Sequence, residues 1–389
     1  MAIELSKQNN FEVGIVAATS LNVPNSINFK RVNNLVEAVE YVEQIDAILV
    51  FRPTINLDKA LTQKLFSSNA ELIAWAHVNP SQKTLRVLSK ARSVKKVVAL
   101  GGRQYMTWID NPVARKSIVI KNGQYLPESH GFKYSEPKYV TYLGSIVPQK
   151  GFHLLAKIWP EVHKQNPGLR LKVIGSGSLY DPNAQMGKFG IADERYESLF
   201  MNYLGESISS VDFLGKINAE EKNQVVSKSF IGIANPSGNT ENCPASALDF
   251  EAYGVPVVSV YKLGLIDTVD NMRTGVLVRN YKRIPQALSE LISDTHFRNN
   301  LSGNCLNYLS TNFNFTNIVN EWMDLFSFKL SASKYRQVSF FDTCSLREKT
   351  SYVLSYLSLP LNRFIFFPSY AEIESVIRKC LRRLKKKNR

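Results

Sequence analysis

Short apolar runs alternate with amphipathic runs along most of the chain. Phe11–Ala18 reads as a strand, Val32–Val42 as a helix, and Ile45–Phe51 as a second strand. Leu57–Phe66 and Thr84–Ala91 read as helices, Glu71–His77 and Lys96–Leu100 as strands, and Tyr105–Asp110 as a short helix. Ser117–Ile120 is a further strand, running into the turn residues Asn122-Gly123. Strands alternating with helices argue for a parallel sheet with helices on both faces.

The polar stretch Gln124–Lys138 carries Pro127, Gly131 and Pro137 and reads as a linker; the alternation then restarts. Tyr139–Leu143, Leu169–Ile174, Val211–Leu214, Phe230–Ala234, Val255–Val260 and Gly275–Val278 read as strands. Gly151–His163, Ala219–Ser227 and Ile284–Ser293 read as helices. The expected fold class is therefore α/β, with two tandem Rossmann-like doubly wound domains facing a cleft and ligands at the C-terminal ends of the strands. The expected boundaries are 1–125 for an N-terminal domain, 126–138 for the linker and 139–312 for a C-terminal domain. A crossing helix over 313–330 and a basic, aromatic extension over 331–389 follow.

Composition narrows the class. A 389-residue chain with 44% hydrophobic and 21% charged residues has the make-up of a globular protein with room for two cores. No apolar run has the length of a membrane span, and residues 1–10 lack the basic-then-apolar pattern of a secretory signal. Cys243, Cys305, Cys344 and Cys380 are scattered without metal-ligand spacing, which fits free thiols in a reducing cytoplasm. The net charge of +15 is uneven: residues 331–389 hold 13 Lys/Arg against 4 Asp/Glu. Ile373, Val376, Ile377, Cys380, Leu381 and Leu384 fall at helical spacing between bases. Such a basic amphipathic helix suits an anionic membrane surface. Packing on the fold is the rival reading, and nucleic acid is the least favoured partner.

The chemistry concentrates in Thr240–Ser259. Glu241 and Asp249 stand eight positions apart around a helix start. Pro244 suits the first helical turn and Gly254 the helix end. Unpaired N–H groups of Asn242, Cys243, Pro244's neighbour Ala245 and the rest of that turn would face an anion. Sugar hydroxyls plus a diphosphate match this layout. The two acids lie beside one helix, whereas a glycosidase pair must flank one bond.

Four blocks resemble the nucleotide-sugar-binding domain of retaining GT-B glycosyltransferases, specifically glycosyltransferase family 4 (glycosyl transferases group 1). They are Tyr142–Gly151, Val173–Gly177, Val211–Gly215 and Glu241–Val258, the last resembling a Glu-x7-Glu motif as Glu-x7-Asp. The likeness spans about 139–328, including Phe315–Trp322, which resembles the helix that crosses back to the first domain.

The resemblance implies a retaining hexosyltransferase-type enzyme. It would move a sugar from a UDP-, GDP- or similar nucleotide-sugar to a glycan or lipid-linked acceptor, as in cell-surface polysaccharide or lipopolysaccharide synthesis. Glu241 would hold the donor sugar, Lys150 the diphosphate and Asp249 the ribose. Gly144, Ser145, Gly175, Gly177, Asn242, Cys243, Pro244 and Ala245 would line the donor site, and His77 would face the transferred sugar. No metal and no cofactor are implied, and the location would be cytoplasmic or peripheral at the inner membrane face.

Three features depart from the family pattern. Ser145 stands where an arginine is usual, Asp249 is shorter than Glu, and Ala17-Ala18-Thr19-Ser20 replaces an early glycine-rich loop. They support the alternative of a non-catalytic nucleotide-sugar- or glycan-binding protein on the same scaffold. Glu251 competes with Asp249 if the helix register differs by two, and Gly101-Gly102-Arg103 offers an anion contact from the first domain.

Overall fold

The computed structural model describes residues 2–7, 12–18, 24–25, 27–127, 139–179, 185–327, 346–362 and 367–387. Most of the expected linker, the start of the first expected strand, and 328–345 and 363–366 of the extension lie outside the described residues. The chain divides into two compact units, one of Met1–Lys121 with Thr316–Arg389 and one of Asn122–Phe315.

In the first unit, β1 (Gly14–Ala17) pairs in parallel with β2 (Asn28–Arg31). β3 (Ile48–Phe51), β4 (Glu71–Ala76), β5 (Val94–Ala99) and β6 (Ser117–Val119) form a parallel sheet in sequential order. β2 was not expected, because Asn28-Phe29-Lys30-Arg31 is exposed throughout and carries no apolar run. Helices Leu35–Gln44, Lys59–Ser67 and Gln82–Lys90 begin at Asn34, Asp58 and Ser81. Each of these side chains accepts a hydrogen bond from a first-turn N–H, which satisfies a donor the helix cannot. The expected helix Tyr105–Asp110 lies earlier, at Gly102–Met106.

Alternation along the strands sorts the core into two faces. Leu72, Ala74, Val97 and Ala99 pack with Leu61, Leu65, Leu85 and Leu88 of the intervening helices. Ile73, Val98, Ile118 and Ile120 face the other way and meet Ile318, Trp322 and Leu325. Those three belong to helix Phe315–Phe326, which returns from far along the sequence to cover the second face.

The second unit holds six parallel strands: β7 (Tyr139–Leu143), β8 (Arg170–Ile174), β9 (Val211–Gly215), β10 (Ile231–Ile233), β11 (Val257–Val260) and β12 (Gly275–Val278). Their order is β12-β11-β10-β7-β8-β9. The chain winds outward from β7 through β9, returns to β10 beside β7, and winds the other way. The loops after β7 and β10 therefore diverge at the switch point, where open α/β sheets form a crevice. Among the described residues of this unit, helices Glu194–Leu204, Gly264–Thr268 and Thr295–Asn312 escaped the sequence reading. Thr295–Asn312 is the longest of them. Its buried Leu301, Cys305 and Leu309 are spaced by four residues within a mostly polar run, so only a narrow stripe marks it.

Candidate functional site

The loop after β7 is fixed by its neighbours. Gly144 N donates to Ile174 O (3.0 Å), and Gly175 N donates to Gly215 O (2.8 Å). A Cβ on Gly175 would stand 2.0 Å from Gly144 O, so these strand ends approach only because the position is glycine. Ile146 N donates to Ser176 O, and Gly177 N to Ile191 O, which ties the second glycine turn to the same loop. Ser145 is half-buried, and its carbonyl accepts from the Tyr142 hydroxyl (3.2 Å).

A one-turn helix, Pro148–Lys150, follows. Gly151 takes φ +73°, and a Cβ there would lie 2.6 Å from Ser237 N. That contact seats Lys150 against the loop after β10.

The β10 loop is built around Asn235, which adopts φ +36° and is 2% exposed. Its Oδ1 accepts from Ser237 N (3.2 Å), Ser237 Oγ (2.7 Å) and Gly238 N (3.1 Å). Its Nδ2 donates to Asn239 O (2.8 Å) and to Glu241 Oε1 (2.9 Å). Lys150 Nζ donates to the same Oε1 at 2.6 Å. Glu241 is 8% exposed, and both of these bonds fall on one oxygen. Oε2 keeps its lone pairs for a hydroxyl-bearing ligand.

Helix Ala245–Ala252 starts immediately beyond. Pro244 is its N-cap, one position outside the first turn expected for it, and no side chain caps the helix. Asn242 and Cys243 are buried in the approach, and Ala245 is exposed at the mouth. Asp249 lies one turn further on, half-buried. Its Oδ2 pairs with Lys222 Nζ (2.9 Å), and its Oδ1 accepts from Gln124 Nε2 (3.3 Å). Glu251, the rival acid, turns into the core with no exposed surface and accepts from Thr274 Oγ1 at 2.5 Å. Burial drives its carboxyl well above the usual carboxylate range. An acid with no exposed surface cannot reach a sugar, so the outward-facing acid of this helix is Asp249.

In the first unit, His77 follows β4, edge-on to Trp75 with ring centroids 4.2 Å apart. Burial first, and the Arg52 charge second, push its imidazole down to about 4, which leaves it neutral at physiological pH. Arg103 is 1% exposed and donates to both carboxylate oxygens of Glu348 at 3.3 Å. It is committed to the fold, which corrects the expected Gly101-Gly102-Arg103 anion contact.

The structure thus brings Lys150 and Glu241 into direct contact across the switch point and sets Asp249 on the adjoining helix. His77 lies in the other unit. Asn235 and Lys222 contact the two acids and carried no role in the sequence reading. Asn235 merely follows the expected strand Phe230–Ala234, and no spacing rule links Lys222 to position 249. Among the described residues, no group of three or more His, Cys, Asp or Glu is placed to hold a metal ion.

Comparison with known proteins follows the same division. The family model described as glycosyl transferases group 1 matches residues 137–294. An uncharacterized glycosyltransferase of Haemophilus influenzae is 24% identical over 303 residues, covering 75% of this chain and 78% of that protein. A phosphatidyl-myo-inositol mannosyltransferase of Propionibacterium freudenreichii is 28% identical over 159 residues, 39% of this chain and 35% of its own length. The crystal structure of Anabaena Alr3699/HepE in complex with UDP superposes with a TM-score of 0.62 at 19% identity, covering 78% of this chain and 86% of that one. The likeness identifies the α/β fold of this chain, with its two compact units, as GT-B.

Proposed function

We propose that this chain, a glycosyltransferase carrying a glycosyl transferases group 1 domain over residues 137–294, takes its sugar from a nucleoside-diphosphate donor seated at the β7/β10 switch point. The observation that supports this reading best is the contact between Lys150 and Glu241, with Oε2 of the acid left open. A mobile ammonium and a fixed acceptor side by side suit a diphosphate joined to a sugar.

In the proposed step the bond from the anomeric carbon to the diphosphate oxygen breaks, an acceptor hydroxyl oxygen bonds to that carbon with retention, and the acceptor's proton passes to the departing diphosphate. Charge grows on the departing diphosphate, where Lys150 stabilises it more in the transition state than in the ground state. Glu241 Oε2 accepts from hydroxyls of the donor sugar. Asp249 exchanges Gln124 or Lys222 for the ribose hydroxyls. A neutral imidazole at His77 suits hydrogen bonding to the transferred sugar better than charge stabilisation. No resident metal or cofactor enters this scheme. The UDP in the Anabaena structure makes UDP-sugars the first donors to test.

The acceptor is proposed to be a glycan or a lipid-linked glycan, in cell-surface polysaccharide or lipopolysaccharide synthesis. The C-terminal helix Tyr370–Lys387 supports a membrane setting. Its first turn is rooted by the Arg86–Glu372 ion pair and by Tyr370 N donating to Asp110 Oδ2. Beyond that turn, Ile373, Val376, Ile377 and Cys380 are exposed along one stripe, with Arg378 and Lys379 beside them. We assign this stripe to an anionic membrane surface, which would place the protein at the cytoplasmic face. Among the described residues no helix is long and apolar enough to cross a membrane.

A panel of UDP- and GDP-sugars, read by thermal shift and by release of the nucleoside diphosphate, tests the donor assignment. A true donor raises the melting temperature of the parent by mass action and does so less for Glu241→Ala. Binding without release, in the presence of glycan acceptors, would favour the non-catalytic reading that Ser145 supports. A panel in which nothing binds overturns both.

A further inference from the structure

The buried carboxylate of Glu241 has two donors on one oxygen, and they differ in what a ligand does to them. The Lys150 ammonium sits at the end of a one-turn helix on a flexible stem and is 19% exposed. A donor diphosphate, carrying more charge than a single carboxylate, will draw it away. Asn235 cannot follow. It is enclosed, both its Nδ2 hydrogens are committed, and its Oδ1 binds three donors of its own loop. Its carbonyl also accepts from Ser259 Oγ of β11 (3.2 Å), and asparagine tolerates the left-handed φ found here.

We propose that Asn235 is a positioning residue for Glu241, its Nδ2 keeping Oε1 hydrogen-bonded and Oε2 aimed at the sugar once the donor diphosphate has drawn the Lys150 ammonium away. This rests on the donor reading of the site given above. Without Asn235, loss of Lys150 to the diphosphate would leave Oε1 of the buried carboxylate without a donor while Oε2 must hold the sugar. Such a group is costly and would rotate toward water.

The two halves of the amide separate the positioning role from a merely structural one. Asn235→Asp keeps Oδ1 and its three loop bonds but turns an acceptor toward both Asn239 O and Glu241 Oε1. The probes are the nucleotide-sugar to which the parent responds in the panel above and the free nucleoside diphosphate of that sugar. For Asn235→Asp we expect binding of the free diphosphate to stay within about threefold of the parent, with kcat at least about thirtyfold lower. Asn235→Asp combined with Glu241→Gln restores a donor–acceptor pair with reversed polarity. It should recover part of any melting temperature the single variant has lost, because the Asn239 carbonyl still lacks its donor.

A kcat within about threefold of the parent overturns the inference. So does a parallel fall in diphosphate binding and kcat, or a double variant that is no more stable than Asn235→Asp, because either marks a loop defect. A parent that responds to no nucleotide-sugar overturns the donor reading and this inference together. An active parent with an unimpaired Asn235→Asp overturns this inference alone.

Discussion

Lys150 Nζ lies 2.6 Å from Glu241 Oε1, joining the loop after β7 to the loop after β10. Ninety-one positions separate them in sequence, and the reversal of strand order at the switch point brings them together. Each charge is largely withdrawn from water, and each supplies the other's partner while no donor is bound.

The pair makes Lys150 the first residue to test. Lys150→Ala should lower kcat by about 10²–10³, the range for loss of one transition-state donor. It should also weaken inhibition by the free nucleoside diphosphate. Lys150→Arg should recover little, because a planar fork cannot replace a compact ammonium in contact with one carboxylate oxygen. Steady-state kinetics with product inhibition decides this; a Lys150→Ala enzyme within about threefold of the parent would remove the diphosphate role.

Asp249 is held at both oxygens by Lys222 and Gln124, and in the proposed donor site ribose hydroxyls would compete with them. Asp249→Ala should weaken donor binding by about tenfold, the cost of roughly one charged hydrogen bond. Asp249→Glu should preserve or improve it. Lys222→Ala frees Oδ2 and should leave donor affinity unchanged or tighter by calorimetry. If Lys222→Ala weakens the donor as much as Asp249→Ala, the lysine is itself a ligand and the ribose assignment fails.

These residues show what the sequence could and could not disclose. The six described strands of the second unit follow from period and turn residues, because each is a short, largely apolar run near glycine, proline or asparagine. Lys150, Glu241 and Asp249 were singled out because local motifs carry them. Asn235 and Lys222 were not, since their roles come from contacts across strand order, which one sequence does not encode locally. β2 was missed for a different reason: an exposed edge strand has no hydrophobic pattern. Arg103 was misread because the sequence showed a base after a strand but not Glu348, 245 positions on, which occupies it.

His77 predicts one limb of the pH–stability curve. Its folded-state affinity for a proton lies at about 4, below the ordinary 6.5 of the unfolded chain. Above pH 6.5 the residue is neutral in both states, and its contribution is fully present. As pH falls through 6.5 toward 4, the unfolded chain binds a proton the folded chain refuses, and stability is lost. His77→Gln should therefore lose less melting temperature than the parent between pH 7 and pH 5, measured by differential scanning fluorimetry. Parallel curves would show that His77 does not titrate this way.

Glu251 predicts the opposite limb. Its carboxyl is raised by burial, with its Oε2 enclosed and unpartnered. The folded chain keeps a proton that the unfolded chain releases above its ordinary 4.5, so stability falls as pH rises through that value and beyond. Glu251→Gln is neutral at every pH and can keep the Thr274 bond. Its melting temperature relative to the parent should rise as pH climbs above 4.5, with donor binding unchanged. A constant difference would mean that the buried acid is ionised in both states.

The exposed stripe on helix Tyr370–Lys387 predicts selective binding to anionic vesicles. Val376 and Ile377 are 60% and 53% exposed, and Arg378 and Lys379 follow them directly. Each base near an anionic surface adds about 1 kcal/mol, and insertion of the apolar stripe adds to it. The parent should sediment with vesicles of phosphatidylcholine containing phosphatidylglycerol and not with phosphatidylcholine alone. Binding should weaken steeply with salt, because the attraction decays within a Debye length. Arg378→Glu with Lys379→Glu reverses two charges and should reduce binding by at least about tenfold. Val376→Ser with Ile377→Ser should reduce it while preserving the salt dependence. Equal binding to neutral and anionic vesicles would remove the charge argument, and charge-reversed protein that binds like the parent would remove the surface itself.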